Sequence, residues 1–172
     1  MTVFLRFIGL LNAAVWCGSA IFVTVGLPAV FSPELKRLIT PAGTGYAAEF
    51  VIARYFAVQY WCAGIALLHL LAEWFYFGKP LRRLNLGIIL TVLLLALLGG
   101  LWAQPKMRVW HVIKYFGRSP EAQAQAAKSF AAWHAASMTT NLLVIAGLVW
   151  YLWRVNREQG PERFVSLSKM RG

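Results

Sequence analysis

Apolar residues run along this chain in four stretches, at about 8–29, 55–77, 84–104 and 133–153, separated by short polar, basic or Pro/Gly-rich segments. A hydrocarbon core about 30 Å thick takes roughly 20 helical residues at 1.5 Å each, so every stretch is long enough to cross a bilayer. Two of them belong to longer helices. Ala47 to Ala53 leads into the second without a breaker, and Ser119-Pro120-Glu121 opens the fourth with an N-cap residue, a proline at N1 and an acid in the first turn, predicting a helix of more than 30 residues.

Between the stretches lie SPELKRLITPAGTG, whose prolines and glycines predict loop, and the tight basic turn 78–83. At Gln104-Pro105-Lys106 the proline should kink or end the third span at the interface. The pattern predicts an all-α protein: an integral membrane four-helix bundle with long second and fourth helices, one four-span domain over 1–172 with a basic tail at 157–172. The first apolar run far exceeds a signal-peptide core of about 7 to 15 residues and lacks an A-x-A cleavage site, so the first helix should be retained.

Composition agrees: 59% of residues are hydrophobic and 13% charged, about half the charged share of a soluble domain. Seventeen Lys and Arg face six acids, all Glu, but the cations flank the apolar runs, which argues for lipid headgroups and against nucleic acid. Cys17 and Cys62 lie within apolar runs and read as small packing residues. Tyr and Trp gather at span ends (Tyr55, Tyr60, Trp61; Trp74, Tyr76; Trp102, Trp110; Trp150, Tyr151, Trp153), as in interfacial belts. The side carrying both termini holds nine cations and the far side eight. The basic turn and Arg154 and Arg157 press against span ends, which favours cytoplasmic termini in a bacterial inner membrane.

Converting position to depth separates two polar layers. Near the terminal side, Asn12, His69 and Glu73 fall at similar levels, and His69 and Glu73 share a helical face four residues apart. A carboxyl at that depth needs a partner, so Glu73 either marks a site with Asn12 and His69 or pairs with Arg82 or Arg83. Toward the far side lie His134, Gln59 and Gln104, with Arg54 and Arg108 just beyond. Ser137, Met138 and Asn141 share the face of His134, which should turn inward because a lipid-facing Asn or His is unsatisfied. Ala131, Ala132, Ala135 and Ala136 should let helices approach closely.

Haem is disfavoured because His69 and His134 differ by about 15 Å in depth, and His111 lies beyond Pro105. A soft metal could use His134 with Met138, and Met107 as a third ligand, but the spacing does not repeat. No metal or cofactor is therefore predicted, and with no nucleophile paired to a base, no phosphate loop and no HExxH, no enzyme.

The residues resemble the small four-span proteins similar to animal transmembrane protein 205, whose bacterial relatives are grouped as domain of unknown function 4149. The resemblance rests on Trp16-Cys17-Gly18 and Phe31, on Tyr55-Phe56, on Trp102, Pro105 and Arg108, and on Phe130, His134, Ser137, Asn141 and Leu142. Ala135 stands where the family usually has Gly, and Ala53-Arg54 where it has Phe-Pro. The family implies a membrane bundle without an established activity, some members being linked to metals or drugs, and adds weight to Phe130, His134, Ser137 and Asn141. Three readings follow: a non-enzymatic protein binding lipid, metal or a partner at a far-side polar site (Arg54, Tyr55, Gln59, Pro105, Arg108, Phe130, His134, Ser137, Asn141); an accessory subunit of a larger membrane complex; or a transporter-like protein using His134, Met138, His69 and Glu73.

Overall fold

The computed structural model describes residues 2–77 and 83–157, so the basic turn, Arg83 excepted, and the tail beyond Arg157 lie outside the described residues. The described chain is helical throughout: α1 (Thr2–Val25), a 3-10 turn (Leu27–Phe31), α2 (Pro33–Leu38), α3 (Pro41–Phe77), α4 (Arg83–Leu97), a π-helical turn (Leu98–Ala103), α5 (Gln104–Phe116) and α6 (Pro120–Arg157). Four helical stretches are long and apolar enough to cross a membrane: Phe4–Phe31, Pro41–Tyr76, Arg83–Phe116 and Pro120–Asn156.

Three boundaries differ from the sequence expectation. The stretch expected as loop carries α2 and the first turn of α3, because its prolines stand where a helix begins. Ser32 accepts a hydrogen bond from the Leu35 amide at 3.3 Å ahead of Pro33, and Thr40 accepts one from the Gly43 amide at 3.2 Å ahead of Pro41. The last residues of the expected first span leave α1 after Val25, where Gly26 and Pro28 open the 3-10 turn. Pro105 does not end the third span: the chain enters it through a π-helical turn and continues as α5. Gly99 and Gly100 of that turn pack closely on α3, where an added Cβ would lie 2.7 Å from the Phe56 ring or clash with the Tyr60 hydroxyl. Ser119 caps α6 as expected, accepting from the Ala122 amide at 3.2 Å.

α1 packs against α3 and α6, and α4 packs against the same two helices. The small buried residues that draw helices together are Ala13, Cys17 and Ala20 on α1 and Cys62, Ala63 and Ala66 on α3. Trp16 and Tyr151, both fully buried, meet edge to face at 6.5 Å between α1 and α6. The alanines of α6 do not do this work: Ala131, Ala132, Ala135 and Ala136 are exposed, because the inward stripe of α6 runs through Val144, Leu148 and Tyr151.

At 37 and 38 residues, α3 and α6 are about 55 Å long against a core of about 30 Å, so their far ends continue past the span. There α5 lies along α6 and touches α3, forming a three-helix cap. Arg108 pairs with Glu49 at 3.1 Å, joining α5 to α3, and Gln123 closes the α5–α6 turn by donating to the Gly117 carbonyl at 3.0 Å.

Candidate functional site

The residues expected at the far-side site separate into two groups. Gln59, Tyr55 and Asn141 point into the bundle and are joined by residues of α1. Trp16 donates its indole N–H to Gln59 Oε1. Tyr55 donates to Asn141 Oδ1 at 2.5 Å, and the Asn141 amide donates to Thr24 Oγ1 at 2.7 Å and to the Ala20 carbonyl at 3.2 Å. Thr24 donates in turn to the Ala20 carbonyl at 3.0 Å. Three helices are thus tied by side chains that would otherwise be unsatisfied in hydrocarbon. Gln59 Nε2 is the exception, buried without a hydrogen-bond partner among the described residues.

Ser137 is half-buried and donates to Met107 Sδ at 3.6 Å, linking α6 to α5. His134, expected inward with it, is exposed and stacks on Phe130 with centroids 6.2 Å apart. α1 ends at Val25, and the 3-10 turn after it runs onto α3 rather than α6, so α1 does not reach His134. His134 also stands about 35 Å from the near end of α6, at headgroup level, where an exposed imidazole is hydrated.

The residues expected in one near-side layer are separated along the α1–α3 contact, Asn12 meeting α3 at Cys62, seven residues from His69, because α1 and α3 cross in a different register from the one that span ends suggest. Asn12 donates to the Cys62 carbonyl at 2.9 Å, and His69 Nε2 lies 2.9 Å from the Leu5 carbonyl. Glu73, half-buried one turn along α3, engages in interactions of its own. On the opposite side of the bundle Arg154 donates to Asn85 Oδ1 at 2.9 Å.

Outside the bundle the far face is basic and aromatic. Arg54 lies over the Phe50 ring at 5.0 Å. Lys106 lies over Trp102 at 4.1 Å and Trp133 at 5.4 Å, and these two rings meet edge to face at 5.0 Å. Beside them an open surface groove of about 310 Å³ is lined by Pro105, Lys106, Val109, Trp110 and Trp133.

The interior of the cap is organised around His111, 6% exposed, which packs against Tyr46 at 5.3 Å, Tyr115 at 5.0 Å and Phe130 at 6.0 Å. Neither ring nitrogen has a hydrogen-bond partner among the described residues. Gly45 makes room for it: a Cβ there would clash with His111 Nε2. No three His, Cys, Asp or Glu side chains converge among the described residues.

A family model described as "Domain of unknown function (DUF4149)" matches residues 11–115. The chain belongs to the DUF4149 family. The matched region holds Trp16, Tyr55, Gln59, Lys106 and His111, whereas Phe130, His134, Ser137 and Asn141 of the expected fourth-span motif lie beyond it. No curated protein matches the chain, and neither does any solved structure.

Sequence reading placed none of Trp16, Thr24, Lys106, His111 and Trp133 in its candidate site. A tryptophan in mid-span, away from the belts, was the available signal for Trp16. The four-residue spacing Trp102, Lys106, Trp110 was the signal for a cation set among indoles on one helical face.

Proposed function

We propose that this DUF4149 protein is a non-enzymatic integral membrane protein whose far face is a binding surface for an anionic ligand presented at the membrane surface. One observation carries this reading: Asn141, Tyr55 and Thr24 are occupied in helix–helix hydrogen bonds, while Arg54 and Lys106 stand exposed over aromatic rings, Lys106 on the edge of an open apolar groove. The far side also carries eight cations against Glu34, Glu49 and Glu121. With termini in the cytoplasm of a bacterial cell, this face lies at the outer surface of the inner membrane. No resident cofactor is needed for such a role.

The test is the thermal stability of the purified chain in detergent, with anionic and neutral amphiphiles added. A ligand at a hundredfold excess over Kd stabilises the folded state by about 2.7 kcal/mol. Anionic amphiphiles should therefore raise Tm in the native chain and not in Arg54→Gln/Lys106→Gln/Arg108→Gln; equal response of the two proteins would refute the reading.

A second reading, an accessory subunit, is favoured by the exposed small-residue face of α6. Ala131, Ala132, Ala135 and Ala136 lie open there, and Thr139 turns its hydroxyl back to the Ala135 carbonyl at 3.1 Å. Such a face admits a partner helix closely. Loss of a co-purifying chain in Ala132→Leu/Ala136→Leu, with stability intact, would support it; a native chain that purifies without a partner would count against it.

A further inference from the structure

Depth along the helices gives the Lys106 cluster its meaning. From Arg83 at the near end of α4, Lys106 lies 23 residues on, about 35 Å, and from Arg157 at the near end of α6, Trp133 lies 24 residues away, about 36 Å. Both estimates put them one core thickness from the near interface, at the boundary between hydrocarbon and headgroups. Trp102, one turn deeper on the Lys106 face, is half exposed, and Val109, one turn on toward the cap, is 55% exposed.

The Lys106 ammonium lies over two indoles and meets no carboxylate among the described residues; the nearby acid Glu49 is engaged by Arg108. A cation held over ring faces lacks a counter-ion, while the open groove beside it is lined largely by hydrocarbon and indole. The two halves fit the two halves of one molecule: a phosphate on Lys106 and an acyl chain along Pro105, Val109, Trp110 and Trp133.

We infer that this groove is a binding site for an anionic phospholipid, its phosphate held by Lys106 and one acyl chain laid in the groove. The inference rests on the far-face reading above and names its site and ligand class. Lys106 selects for net negative charge, and the groove selects for a lipid over free phosphate, which has nothing to fill it.

The experiment uses the full chain in mild detergent, titrated with phosphatidylglycerol, with phosphatidylcholine of the same acyl chains, and with inorganic phosphate, bound adducts being counted by native mass spectrometry. The native chain should retain phosphatidylglycerol in preference to phosphatidylcholine and give no phosphate adduct. Lys106→Gln should weaken phosphatidylglycerol about fivefold, the contribution of one cation near an anionic surface, and leave phosphatidylcholine unchanged. Val109→Trp, filling the groove from an exposed position, should lower retention of both lipids. If the preference survives both substitutions but disappears in Arg54→Gln/Arg108→Gln, the site is wrong and the far-face reading stands. If the native chain shows no preference for the anionic lipid, both fall; if inorganic phosphate binds as well as the lipid, the acyl-chain half of the inference is overturned.

Discussion

The membrane-embedded bundle and the far-side cap use polar residues in opposite ways. In the bundle, Asn141 makes three hydrogen bonds to two other helices, and the hydroxyls and amides around it, Gln59 Nε2 excepted, are consumed in holding α1, α3 and α6 together. In the cap, His111 is buried with both ring nitrogens unpartnered, and the cations outside it are held over aromatic rings or, like Arg108, in a partly exposed pair. The difference follows from solvent. In hydrocarbon an unsatisfied amide is costly, so polar groups are arranged for pairing; the exposed cations at headgroup level meet water and lipid phosphate instead, whereas His111 is sealed among aromatic rings. A polar residue deep in a span is therefore weaker grounds for function here than a cation at its rim.

The largest effect that would break this comparison lies in the cap. Gly45→Ala drives a methyl into the His111 ring and should destabilise the protein by about 1–3 kcal/mol, as overpacking does. Adding His111→Ala should restore part of the loss; a melting temperature unaffected by Gly45→Ala would show that His111 does not fill the cap.

Next comes Asn141→Leu, which removes three hydrogen bonds and should loosen the bundle by about 0.5–2 kcal/mol. Thr24→Val, losing the hydroxyl that Asn141 contacts, should cost about 0.6 kcal/mol, the average for such bonds in a membrane bundle. Chemical denaturation in mixed micelles can rank the two, and an equal cost would mean that Asn141 acts only through Thr24. The smallest effect belongs to Arg108→Gln, since a partly exposed pair with Glu49 is worth about 0.2–1 kcal/mol and should fade with added salt.

The legible parts of the fold were those written in hydropathy and in helix-start signals. The spans stand out because about 20 apolar residues have few other uses, and Ser119-Pro120-Glu121 marked the start of α6. Pro33 and Pro41 were misleading because proline both breaks helices and begins them, and only the Ser32 and Thr40 caps decide between the two. The π-turn brings Gly99 and Gly100 close against Phe56 and Tyr60, a tertiary contact that no local pattern encodes. Within the candidate site, periodicity placed Asn141 inward but also His134, since the two share a helical face. What separates them is where α1 stops. Trp16 as partner to Gln59 and Gly45 as the space for His111 are pairings across helices, beyond the reach of spacing along one.

The most direct test of the division between bundle and far face is the melting temperature of three proteins, native, Asn141→Leu and Lys106→Gln, in nanodiscs of phosphatidylcholine with an increasing share of phosphatidylglycerol. Asn141→Leu should melt below the native protein by the same margin in every composition, while Lys106→Gln should match the native protein in phosphatidylcholine and lose much of its stabilisation by phosphatidylglycerol. A lipid-dependent deficit in Asn141→Leu, together with a native response in Lys106→Gln, would contradict the account and return the binding role to the buried network.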